Sequence, residues 1–497
     1  MALSPYQQLE SEFNRLYSLR AAASLLRWDA AVMMPRGSVE QRGEQLAVLE
    51  TETHAILTAP KIARLLDRAA ANASGLNEWQ VANLRCMRRE HDHAIAIPSA
   101  LIRRMAKATS TAESKWRDAK QQSNFALFAP HLDEVLKLTR DRSQILGQAL
   151  QLDPYDALID EFSPGLTVAE IDQVFATLSH RLPTLIQLAI DKQSSETVLP
   201  IATPVAASAQ RTLSLELMKA LGFPFDQGRL DESDHPFTGG ISGDIRITTR
   251  FVVDDVLSGL MGVLHETGHA MYAHGLPADY RSQPVGNDAG MALHESQSLL
   301  IEMFIARSPA FVRYLQPLLT KILNVSGAEW AADNIYRLLT RVQRSAIRIN
   351  ADEVTYPIHI MLRYELEREL LSGDVKVGDL PEVWNQRMQS RLNVTPANDA
   401  EGCLQDIHWA VGAFGYFPSY AMGAVIAGQL MEHLRNDCPT LDDDIAAGQF
   451  AGLFAWLRQH VHSAGNKTTA TALIQAVTSR PLSAAAWLRY VESKYLQ

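Results

Sequence analysis

The sequence predicts a mainly α-helical fold, and three observations carry that expectation. Apolar residues recur at three- and four-residue spacing through most of the chain. One short stretch alternates with period two instead, from Ile241 to Phe251. Directly after it, in a helical context, stands His265-Glu266-Thr267-Gly268-His269. With 497 residues, 47% hydrophobic and 21% charged, the chain has the makings of a large folded core, which excludes fibrous and disordered classes.

Element by element, helical spacing runs over residues 5–30, 38–58, 77–95 and 99–150, with breaks such as Met34-Pro35-Arg36-Gly37. Pro154 and Pro164-Gly165 punctuate the pattern, and Thr167-Val-Ala-Glu170 reads as a capping box opening the helix 168–222, itself interrupted near 194–203. The alternating stretch puts Ile241, Ile245, Ile247 and Phe251 on one face and Asp244, Arg246, Thr248 and Arg250 on the other, a half-buried strand. Thr238-Gly239-Gly240 reads as its entry turn, and Asp254-Asp255 as the N-cap of the next helix, Val256 to about Ala273. Helices are expected again at 291–306, 328–349, 353–372, 380–391, 417–436, 442–460 and 468–477. No repeat or low-complexity linker divides the chain. It reads as one helical body over 1–497, with an N-terminal helical part of roughly 1–230 and a metal-binding part of roughly 231–497.

The formal net charge of −10 gives no reason to expect nucleic acid. The basic residues between Arg85 and Lys120 are interrupted by acids and alanines and read as a solvated helix face. Cys86, Cys403 and Cys438 are too few and too scattered for a disulfide scaffold or a thiolate metal site, and they suit a reducing compartment. The N-terminal stretch lacks the basic and apolar regions of a leader, and no run is long and apolar enough for a membrane span. A cytoplasmic protein without nucleic-acid or membrane partners is expected.

The pentapeptide carries the chemistry. His265 and His269 lie one turn apart on one helix face, so both imidazoles reach a single ion. Glu266, one residue past the first, is placed to lean over an ion-bound water without binding the ion, as in zinc peptidases. Leu257, Leu260, Met261 and Leu264 give the helix an apolar side. A third histidine six residues on is absent, since position 275 is Gly. The third ligand is therefore expected to be a carboxylate, and Glu295, at the start of the next helical run, is the choice. The donor set suits Zn2+ and tolerates Co2+ or another divalent ion.

Further motifs follow in order: Trp28-Asp29 before Met34-Pro35, Pro154-Tyr155-Asp156, His235-Pro236-Phe237 and Asp244-Ile-Arg246-Ile-Thr248. After the pentapeptide come His294-Glu295-Ser296-Gln297, Ile347-Arg348-Ile-Asn-Ala351-Asp352 and Gly402-Cys-Leu-Gln405-Asp406-Ile-His408-Trp409. In this arrangement the chain resembles the carboxypeptidase Taq family of zinc metallocarboxypeptidases over nearly its whole length. The resemblance implies a two-lobed helical metallopeptidase fold with a deep central groove and a small β-sheet beside the zinc helix. It also implies a homodimer that removes single residues from peptides with a free C-terminus, with broad specificity and poor handling of C-terminal proline. Asn350 and Leu299-Leu300-Ile301 depart from the family's usual residues without touching a proposed ligand.

A free carboxylate is well recognised by a guanidinium, and the family pattern points to Arg348. By sequence alone Arg348 could equally be a salt-bridged helix arginine. Tyr420 and His408 are candidate donors to the negative charge of the tetrahedral intermediate, each with a plain core role as its alternative. His235, in a loop, is a candidate lining residue. The strand could pair as an edge with an extended peptide, while Asp244 and Arg246 brace it. Two other functions stay open: a zinc oligopeptidase or dipeptidyl peptidase, and a non-catalytic metal-bound relative.

Overall fold

Local signals at the helix starts become hydrogen bonds in the computed structural model, which describes residues 3–497. Met1 and Ala2, at the head of the stretch read for a leader, lie outside the described residues. Ser4 caps the helix Pro5–Val32 and forms a capping box with Gln7. Thr167 and Glu170 do the same for Val168–Gln193. Pro154, read as a break, instead opens a helix, Pro154–Phe162, and Pro60 and Pro309 open Pro60–Ala71 and Pro309–Leu323. Proline lacks only an N–H that the first helical turn leaves unused, so it starts helices as readily as it ends them. Those three helices and Ala485–Leu496 were not expected from the periodicity.

The chain divides into two compact units, neither of them one continuous stretch. The first comprises the chain up to Ala94, Thr197–Thr340 and Ala427–Pro481; the second comprises Ile95–Glu196, Arg341–Ile426 and Leu482–Gln497. Among the described residues no helix is long and apolar enough to cross a membrane. Cys86, Cys403 and Cys438 are free thiols; the first two are buried and the third partly exposed.

In the first unit, Tyr6, Leu9, Phe13 and Leu16 of the helix Pro5–Val32 pack on Leu65, Leu66 and Met87. The unit also holds a three-stranded sheet, β1 (Gly228–Glu232), β2 (Phe237–Ile241) and β3 (Asp244–Thr249), in the order β1-β3-β2. β3 runs parallel to β1 and antiparallel to β2. This corrects the expected strand in two ways. Thr238-Gly239-Gly240 is part of β2 rather than a turn, and the reversal falls at Ser242-Gly243, where Gly243 takes φ +91°. β3 is the central strand, so the edge belongs to β2. Centrality also spoils the alternation: Ile245 and Ile247 are buried as expected, but so are Thr248 and Thr249. Ile245, Ile247 and Leu230 pack against Val263, Ala270 and Met271 of the helix Val256–Gly275, which Asp255 caps through Ser258 N.

The helix 291–306 is real only as far as Leu299; Leu300–Ala306 is a π-helix. The helix expected over 328–349 ends at Leu339. In the second unit, side chains occupy the backbone groups that a continued helix would have used. Asp352 accepts from the N–H groups of Gln343, Val354 and Thr355. Gln405 accepts from Arg348 N and donates to Ala346 O. Arg348 therefore stands in a short 3₁₀ turn, Arg348–Asn350, not on a helix.

At Gly268 the helix that carries His265 and His269 comes into backbone contact with the helix that carries Glu295. A methyl group on it would stand 2.6 Å from Gln297 O and 2.7 Å from Ser298 Cα, on the helix carrying Glu295. Gly275 is similarly confined by His462, whose ring fills the place a side chain would take. Gly268→Ala is expected to cost about 1–3 kcal/mol through overpacking, lowering the melting temperature and weakening divalent-metal binding together. Unchanged values of both would show that the two backbones separate without penalty.

Candidate functional site

Two helices and one strand of the first unit meet at His265, His269 and Glu295, whose donor atoms lie within 4.8 Å of one another. His265 Nε2 is 3.9 Å and His269 Nε2 3.4 Å from the Glu295 carboxylate oxygens. Such separations suit bonds of about 2.0–2.2 Å meeting at one point. The imidazoles stand nearly perpendicular, at 82°, as neighbours one helical turn apart. His269 and Glu295 are buried.

The charges around this group favour a cation. Burial works against a charged His265, but the hydrogen bond it donates to Glu302 and the carboxylates of Glu295, Glu302 and Glu266 outweigh it, raising its pKa to about 10. Burial, with the nearby imidazoles, lowers His269 to about 4 despite Glu295. Burial pushes the Glu295 carboxyl up, yet His269 and His265 hold it below its ordinary value. Two imidazole nitrogens and a carboxylate oxygen that can meet at one point form a donor set fit for a divalent cation.

Around this group Glu302, Arg307 and Thr238 take roles not expected from the sequence. His265 Nδ1 donates to Glu302 Oε2 at 2.9 Å, which leaves Nε2 free to bind an ion. Glu302 in turn accepts from Arg307 Nη2 at 2.6 Å, and the Arg307 and His265 charges overcome burial to hold its pKa near 2. Glu302 lies on the π-helix, a local widening of the helix frequent at functional sites. The seven-residue spacing from Glu295 to Glu302, two helical turns, was the signal that could have found it. Glu266 is held by Thr238 of β2, whose hydroxyl donates to Oε2 at 2.7 Å and to the Glu266 carbonyl at 2.9 Å. Burial raises the Glu266 pKa, with His265 and Thr238 opposing. His294 stacks on His269, with ring centroids 4.5 Å apart. His235 is exposed in the turn before β2, where its carbonyl accepts from Ser233 Oγ; it does not join the His-His-Glu group.

A second polar cluster lies within the second unit. Arg348 donates through Nε and Nη2 to Asp406 Oδ1, at 3.0 and 2.8 Å. Arg363, fully buried, donates to Asp406 Oδ2 at 2.7 Å and to the His359 carbonyl. Burial raises the Asp406 pKa, but Arg363 and Arg348 override it and hold the carboxyl well below its ordinary range. His408 Nε2 lies 3.1 Å from Tyr420 Oη, and the Arg348 guanidinium lies 5.0 Å from the Tyr420 ring centroid. Burial lowers His408 to about 4 and His359 to about 3, so both are neutral near pH 7. Two guanidiniums against one carboxylate leave the cluster with a surplus positive charge. Arg348, His408 and Tyr420 are thus neighbours, as their motifs suggest.

Glu302→Gln should keep the fold yet lower divalent-metal affinity by roughly 10–100-fold, the usual loss when a residue behind a histidine ligand is changed. Titration against a chromophoric chelator measures this, and an unaltered affinity would remove Glu302 from the supporting role.

Comparison with known proteins shows the family. The carboxypeptidase Taq (M32) metallopeptidase family profile matches residues 8–495. The chain is 35% identical over 494 residues to carboxypeptidase 1 of Bacillus subtilis, covering 98% of each. It is 34% identical to thermostable carboxypeptidase 1 of Thermus thermophilus, covering 99% of this chain and 98% of the relative. Among solved structures, metallocarboxypeptidase 1 of Trypanosoma cruzi superposes with a TM-score of 0.97 at 37% identity, covering 99% of both chains. The M32 carboxypeptidase of Deinococcus radiodurans gives 0.94 at 31% identity, covering 99% of this chain and 98% of that one. With family profile, curated relatives and solved structures in agreement over essentially its full length, the chain belongs to the carboxypeptidase Taq (M32) family of metallopeptidases.

Proposed function

We propose that this metallocarboxypeptidase releases the C-terminal residue of peptides at one Zn2+ held by His265, His269 and Glu295, with Glu266 as general base and broad side-chain specificity. The observation that supports it most is the convergence of those three donors beside a carboxylate already aimed by Thr238. A bound divalent ion would supply Lewis acidity, polarising the scissile carbonyl and bringing a water's pKa towards neutrality; Co2+ would serve similarly. Glu266 takes the proton as water attacks and passes it to the leaving amine. Its burial, which raises its proton affinity, suits a base that must also become an acid.

Arg348 is assigned to the substrate's terminal carboxylate. Asp406 fixes the plane of its guanidinium, and the surplus positive charge of the cluster matches an anion. Tyr420 and His408 are assigned to the negative charge that develops on the carbonyl oxygen; a neutral His408 donates there without adding a buried charge. His235, exposed ahead of β2, is assigned only to contacts with the substrate. The outer edge of β2, rather than β3, is where an extended peptide main chain would pair. One peptidase domain over 1–497, a homodimer and a cytoplasmic location complete the reading. Free cysteines support the last, since thiols persist in reducing compartments.

Digestion of a peptide ladder followed by mass spectrometry tests the function. Stepwise shortening from the C-terminus is expected, and a chelator or C-terminal amidation should abolish it. Equal cleavage of amidated peptides would favour an oligopeptidase. Glu266→Gln should retain its metal while kcat falls by about 10²–10⁴-fold, the range for losing a general base; a variant as active as wild type would place the base elsewhere.

A further inference from the structure

We propose that a cavity beside the His-His-Glu group, within the first unit, is a substrate subsite for a side chain with an apolar stem and an acidic tip, carried by one of the two residues flanking the scissile bond. The proposal rests on the reading of that group as the peptide-hydrolysing centre. The cavity measures about 350 Å³, at the lower end of ligand-sized cavities of roughly 300–1,000 Å³. Two wall residues join it to the centre. Thr238 holds Glu266, and His294 stacks on His269. A side chain leaving a peptide main chain at the centre has this cavity within reach.

The walls explain the chemistry of the occupant. Phe13, Ala21, Ile241, Ile245 and Leu276 offer apolar surface for a stem. Arg20 is also in the wall, but its guanidinium is engaged by Glu90 at 2.7 Å. Arg281 differs: among the described residues it has no carboxylate within ion-pair distance. The Tyr17 hydroxyl, in the same wall, is buried without a hydrogen-bond partner. Both residues line this one cavity, and the Arg281 charge acts on the Tyr17 hydroxyl, opposing the rise that burial gives its pKa. One carboxylate can accept from the buried phenol, which has no acceptor, and from the exposed Arg281 guanidinium together. Of the two carboxylates in the wall, Glu90 is paired with Arg20, and Asp288 lies beside His294, with Oδ2 3.8 Å from His294 Nδ1 and Oδ1 accepting from Gly290 N. The acidic tip therefore belongs at the Tyr17–Arg281 end.

The test compares metal-loaded wild type with Arg281→Gln and with Ala21→Phe, which narrows the cavity. Melting temperature and metal content establish that both variants fold. One readout is kcat/KM on peptides whose last two residues are varied in turn among Glu, Leu, Lys and Gly. The other is calorimetric binding of N-acetylated reduced-amide analogues bearing Glu or Leu. Arg281→Gln should weaken Glu-bearing ligands by about ten- to a hundredfold, the scale of one charge-assisted hydrogen bond, while leaving Gly-bearing ones unchanged. Ala21→Phe should disfavour Glu and Leu alike and spare Gly. Losses that are uniform across ligands, or absent, overturn the subsite even if C-terminal hydrolysis is intact. If wild type releases no C-terminal residue yet the analogues show the Arg281-dependent preference for Glu, the subsite stands and the catalytic reading falls.

Discussion

Two helix backbones touch at Gly268, and the spacing they keep there sets where Glu295 stands relative to His265 and His269. The contact tolerates no side chain, because Gln297 and Ser298 of the second helix lie in the space a Cβ would need. Other features of the centre follow from this approach. Gln297 hydrogen-bonds His462, whose ring in turn confines Gly275. The π-helix that begins at Leu300 brings Glu302 behind His265. The variable positions of the pentapeptide are thus constrained by packing, even though they do no chemistry.

Buried charge is handled in two different ways. Around His265 and His269 the carboxylates of Glu266, Glu295 and Glu302 exceed the neighbouring positive charge, and Arg307 neutralises only part of it. A divalent cation restores the balance. In the second unit the excess is positive, with Arg348 and Arg363 sharing Asp406. Taking such groups out of water costs several kcal/mol each, so each excess is stable only with partners of good geometry.

Among the described residues, β-structure stands beside the His-His-Glu group. The hairpin of β2 and β3 puts Thr238 against Glu266 and leaves Ile245 and Ile247 to pack on the helix that carries His265 and His269. The period-two pattern from Ile241 to Phe251 announced the strand but misplaced its boundaries, because a two-residue reversal at Ser242-Gly243 continues the alternation across two strands. Pro154 misled in a comparable way: read as a break, it opens a helix, where its missing N–H is harmless.

By itself the sequence determined the helical class, the capped helix starts at Thr167 and Asp255, the two imidazoles on one face and the carboxylate that joins them. These follow from spacing along a single element or from the elimination of a third histidine, and both are properties of the linear chain. Tertiary structure decided the rest. It put β3 in the middle of its sheet, released Arg348 from a helix into a turn built by Asp352 and Gln405, and stationed Glu302 and Thr238 behind the reactive groups. Apart from the local bonds to Asp352, these depend on hydrogen bonds between residues distant in the chain, and periodicity within one segment carries no record of such partners.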